Sequence, residues 1–199
     1  MQFLTIREPH AGEFRVHVNR GGRGGFWFDR FNYAIDHDPT SETIRCCWSS
    51  DSTKSCVTFL RPDIEIGVSQ GCADALEGGV RICGVSFTVP FALYHDVETT
   101  PQAIQFRVSQ CVARYVLPLL TPIAPLRADW LTSDVVALAR GIHADAAFDR
   151  LPILSDALQD AGCADELVLN HLALCPDHGP SCWVVEMILD QVRAAAGSE

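Results

Sequence analysis

Five residues near the C-terminus have side chains that bind metals or undergo thiol chemistry: Cys163, His171, Cys175, His178 and Cys182. From His171 onward their spacing is H-x3-C-x2-H-x3-C. Thiolate and imidazole are the preferred donors for structural zinc, and four of them hold the ion at about 2.0–2.3 Å. Zinc is therefore the cofactor that this stretch suggests. The CxxC knuckle that usually accompanies such sites is missing, and packing accounts for several of the five residues. Cys163 follows Gly162, a helix-stop glycine, and Cys182 precedes Trp183 on an apolar face. His171 can lie half-buried with one ring nitrogen on a carbonyl. Packing is the preferred reading, ahead of zinc and of a redox thiol role.

Other stretches carry weaker signals. Arg20-Gly21-Gly22-Arg23-Gly24-Gly25-Phe26 resembles an RNA-binding box of arginines, glycines and an aromatic ring. A single copy in an acidic chain reads better as the glycine-rich tip of a hairpin. Cys46 and Cys47 are adjacent, so a strand would place them on opposite faces. Cys72 lies in Gly71-Cys72-Ala73-Asp74, read as a turn, where a histidine such as His95 would activate it if the two met. Asp36-His37-Asp38 is a histidine between acids, but Asp38-Pro39 reads as a turn. Nucleophile-elbow, phosphate-loop, HExxH and dinucleotide-binding signatures are absent.

These residues must be positioned by two kinds of element. Residues 2–100 read as strands: 3–6, 14–18, 26–35, 43–48, 56–60, 64–69 and 80–94, with Arg61-Pro62-Asp63 as one of the turns between them. Phe31, Tyr33 and Ile35 alternate as in a half-buried strand. Pro101 to Leu117 has helical spacing, and the proline-rich stretch 117–126 reads as an apolar linker running extended over the β part. Beyond it come four helices. Thr132 or Ser133 caps one whose Val135, Leu138, Ala139, Ile142 and Ala146 face inward. Leu151, Leu154, Leu158 and Ala161 form the face of the next, capped by Asp149, with Pro152 in its first turn and Gly162 as its stop. A third begins near Asp165 with Leu167, His171 and Leu174 on one side. The last begins near Ser181, with Trp183, Val184, Met187, Ile188 and Val192 apolar.

The pattern LPxLxDALxxAGC, then a histidine, then HxxxCWVVxxxL resembles an uncharacterised helical module found at the C-terminus of many bacterial proteins. It is carried here by Leu151, Pro152, Leu154, Asp156, Ala157, Leu158, Ala161, Gly162, Cys163, His171, His178, Cys182, Trp183, Val184 and Val185. Two positions depart from it: Leu172 stands where a cysteine usually follows the first histidine, and Glu186 where aspartate is usual. The resemblance implies a fold and no activity.

The expected fold class is α+β: an antiparallel β-rich N-terminal domain, sandwich or open barrel, over 1–127 with a helix near 101–117, followed by a small acidic four-helix module over 128–199. The chain has 199 residues and a net charge of −10. Residues 129–199 hold 12 acids and three arginines, a net of −9, which leaves −1 for residues 1–128. Such acidity disfavours nucleic acid and anionic membrane as partners. No run approaches the roughly 18 apolar residues that span a bilayer. Nine cysteines, an odd number, with no signal-peptide layout at the N-terminus, suggest reduced thiols and a cytoplasmic setting. The expected function is a non-catalytic interaction or accessory role, with another protein as partner and the helical module as the docking unit. The alternatives are an enzyme or small-ligand binder with its site around Cys72, Arg81 and His95, and a zinc-stabilised module.

Overall fold

The computed structural model describes residues 1–15, 30–47, 60–93, 99–175 and 182–197. The glycine-rich run 20–26, most of the strand expected at 56–60, His95 and His178 lie outside the described residues.

The class is α+β. Among the described residues, strands β1 (Gln2–Thr5), β2 (His10–Arg15), β3 (Arg30–His37) and β4 (Ile44–Cys47) precede helix α1 (Arg61–Glu77). Strands β5 (Val80–Ile82) and β6 (Val85–Leu93), helix α2 (Pro101–Cys111) and strand β7 (Thr121–Pro122) follow. Then come α3 (Ser133–Asp145), α4 (Leu151–Asp160), α5 (Glu166–Leu174) and α6 (Trp183–Ala196). The strands form two sheets, ordered β2-β3-β6-β4 and β5-β1-β7. Neither is wholly antiparallel, because β4 runs parallel to β6 and β1 parallel to β5. The β4–β6 pair can be parallel because α1 and β5 lie between the two strands in the chain, whereas the sequence had suggested only hairpins.

That helix replaces the strand expected at 64–69. Pro62 and Asp63, read as a turn, occupy its first turn, where a missing N–H and an acidic side chain are both tolerated. Ile64, Val68 and Cys72 recur every four residues and are buried. Gly67 and Gly71 lie beside them and admit the backbone of α2. A Cβ at Gly67 would sit 2.7 Å from the Gln105 carbonyl oxygen, and one at Gly71 2.8 Å from that of Ser109. The two helices therefore run side by side in the same direction. Their apolar faces pack with Phe31, Tyr33, Ile35 and Phe87 of the larger sheet in one core.

A second core lies among α3 to α6 and contains Leu151, Leu154, Leu158, Val168, Trp183 and Ile188. It also takes in Phe3, Cys83, Ile123 and Leu126 from ahead of residue 128. The small sheet is the partition. Phe3 faces the helical core while its neighbour Leu4 packs on the first, as strand alternation requires. The expected linker supplies β7, which pairs with β1.

Local signals fixed the helical half well. Thr132 accepts from the Val135 N–H at 3.3 Å, and Asp165 from Leu167 at 3.0 Å. Gly162, at φ +87°, closes α4 in a Schellman turn, with Cys163 N–H donating to Leu158 O at 2.9 Å. Three details differ. Arg150, not Asp149, is the N-cap of α4. Ala146 is exposed at the left-handed end of α3, and Leu174 is 55% exposed. The buried face of α5 is Val168, His171 and Leu172.

Candidate metal centre at the joint between loop 38–43 and helices α5 and α6

The loop after β3 is built by one buried carboxylate. Asp38 Oδ1 accepts from the Thr40 N–H at 3.0 Å and from its hydroxyl at 2.5 Å. Asp38 Oδ2 pairs with Arg45 at 2.5 Å. Burial alone would raise this carboxyl, but the Thr40 and Arg45 hydrogen bonds outweigh it and hold it below the usual carboxylate range. Ser41 N–H returns to Asp38 O at 3.1 Å. The turn expected at Asp38-Pro39 is thus present. It presents three acceptors to the helices: the Pro39 and Thr40 carbonyls and the Glu42 carboxylate.

The helices fill all three. His171 Nδ1 lies 3.0 Å from Pro39 O, and its Nε2 lies 2.9 Å from Glu42 Oε1. Cys175 Sγ donates to Thr40 O at 3.3 Å. Trp183 N–H, at the first turn of α6, donates to Glu42 Oε2 at 2.9 Å. Cys182, the N-cap residue, makes no side-chain cap bond, so Glu42 caps α6 from across the chain. Arg81 completes the cluster: its guanidinium lies 3.6 Å from Glu42 Oε2 and bonds Glu186. The Trp183 indole stacks obliquely on His171, with centroids 5.0 Å apart.

Both ring nitrogens of His171 thus face oxygen acceptors. A neutral ring has only one N–H to donate. Either a proton lies between Nε2 and Glu42, or a metal cation does. Glu42, His171 and Cys175 offer donor atoms all within 4.8 Å of one another, so the group could hold a metal ion.

Of the five residues singled out in the sequence, His171 and Cys175 meet at this point. Cys182 lies beside them: burial raises its thiol, and the charge of Glu42 adds to that. Cys163 is not in the group. It occupies the turn after Gly162, buried in the helical core. His178 lies outside the described residues. Glu42 was missed, since it is 129 residues from His171 in sequence and nothing local marks it.

Beside this joint is a cavity of about 380 Å³ between the edge strands β4 and β5. Ile44, Val80, Ile82 and Cys72 line it, with Arg81 and Glu186 as its charged groups. Cys72 and Arg81, linked in the sequence as a candidate ligand site, do share this cavity. Burial pushes the Cys72 thiol up to about 11, which opposes a nucleophilic role.

No family model matches the chain, and no curated protein matches it. Among solved structures, one from Thermus thermophilus aligns at 16% identity with a TM-score of 0.39, over 54% of this chain and 16% of that one. Likeness at that level carries nothing about fold or function. No helix among the described residues is long and apolar enough to cross a membrane.

Proposed function

We propose that the protein is a non-catalytic accessory protein that binds another protein, with its helical module fixed on its own N-terminal domain as part of the scaffold. The observation that carries this is the use made of the reactive groups. His171, Cys175 and Glu42 are hydrogen-bonded to one another or to the backbone at the joint. The donor set of carboxylate, imidazole and thiol suits zinc, whose part here is to brace the joint. The partner surface we favour is the helix pair α1 and α2, where Ile66 is 44% and Phe106 54% exposed. Capture of partners by the full chain from its native cell tests this. A protein retained by the wild type and lost with Ile66→Asp/Phe106→Asp supports the reading. Equal retention by both, or none by either, refutes it.

A small-ligand binder is the second reading, and the cavity at Arg81 and Glu186 favours it. Its size falls within the 300–1,000 Å³ or so of small-molecule sites. A small-molecule stabilisation screen in which hits vanish with Ile82→Trp would establish it.

A further inference from the structure

We propose that Glu42, His171 and Cys175 bind one zinc ion, which takes the place of the proton between Glu42 and His171 and ties helix α5 to the loop after β3. This deepens the accessory-protein reading by assigning the joint its ion, and rests on that reading only for the ion's structural role.

The hydrogen bonds have already set the site up. Nδ1 of His171 faces the Pro39 carbonyl at 3.0 Å. A histidine held by Nδ1 in that way has its Nε2 oriented, the usual arrangement of a zinc-bound imidazole. Nε2 points at Glu42 Oε1, 2.9 Å away. Zinc bonds of about 2.0–2.2 Å to nitrogen and oxygen need the two atoms a few tenths of an ångström further apart in a tetrahedral site. The Cys175 sulfur completes the triangle. The Thr40 carbonyl oxygen, 3.3 Å from that sulfur, is within reach as a fourth donor.

Charge selects the same set. Glu42, Glu186 and the Cys175 thiolate carry three negative charges, while Arg81 and Zn²⁺ carry three positive. The cluster is therefore neutral with one thiolate. A second thiolate, from Cys182, would leave an uncompensated negative charge at a residue that is 1% exposed. Cys182 stays a thiol and is not a ligand. Binding is balanced as Zn²⁺ entering and two protons leaving, one from the Cys175 thiol and one from between His171 and Glu42.

The experiment is a Co²⁺ titration of the full chain after its metal has been removed, with zinc measured on the protein as purified. The expected result is one zinc per chain and a thiolate-to-cobalt charge-transfer band that saturates at one equivalent. The band is kept in Cys182→Ser and lost in Cys175→Ser. Zinc should also raise the melting temperature of the metal-free chain. A cooperatively melting wild type with no zinc and no thiolate band overturns the proposal. So does a band that survives Cys175→Ser or disappears with Cys182→Ser. Failure to find a protein partner, with the cobalt band present, would break the docking reading and leave the ion in place.

Discussion

The two cores are assembled on different principles. In the helical core α3 and α5 bring their own N-caps and α4 its stop glycine, each helix has a one-sided apolar face, and large side chains such as Leu154, Leu158 and Trp183 fill the space between. In the first core, α1 and α2 approach through what α1 lacks, because Gly67 and Gly71 let two backbones come together. The first arrangement is weakened by taking atoms away, in proportion to the packing that is lost. The second has no slack, since any Cβ meets a carbonyl oxygen. Helices that are specified by side chains announce themselves locally; a helix specified by close approach does so only through its partner.

Substitutions can sharpen or break this contrast. The largest effect should come from Trp183→Ala, which empties the helical core and removes the ring against His171. It should cost about 4 kcal/mol in equilibrium unfolding. Glu42→Ala should follow at about 3 kcal/mol, because it removes the acceptor that Arg81, the imidazole and the α6 terminus share. A loss under about 1 kcal/mol by denaturant titration would mean that the joint contributes little. Gly71→Ala, the smallest chemical change, should cost about 2 kcal/mol through overpacking. A neutral Gly71→Ala would erase the distinction between the cores. Thr132→Ala and Asp165→Ala, which remove local caps, should each cost about 1 kcal/mol.

The smallest expected effect concerns acid. Asp38 has its folded carboxyl held below the ordinary range, so its stabilisation is full above the unfolded value, about pH 4, and disappears as the pH falls through the folded value. Asp38→Asn should flatten the acid limb of the stability curve, while leaving the rest of its shape unchanged.

The contrast also explains what could be read from sequence. The four C-terminal helices were legible because apolar residues recur at helical spacing, and Thr132, Asp165 and Gly162 mark ends of three of them. Phe31, Tyr33 and Ile35 were legible by alternation. Helix α1 was not, because glycines at 67 and 71 lower its intrinsic propensity and Pro62-Asp63 suits a turn equally well. Two of the three residues of the candidate site were legible: His171 and Cys175 have recognisable chemistry, and their helix could be placed. Glu42 was not, because an acid in a loop gains meaning only from what packs against it. Cys163 drew attention by its type, but its position after Gly162 is a consequence of the turn.

The small partition sheet has a consequence for the order in which the chain can fold. Strand β1 occupies residues 2–5, but its antiparallel neighbour β7 begins at Thr121, 116 residues after Thr5. A growing chain therefore carries β1 unfinished until Thr121 has been made, and the loop closed by that pairing is a costly one. Phe3, which belongs to the helical core, must wait longer still for Trp183. Folding should thus end at β1, and a chain cut short before β7 should leave that strand open to proteases.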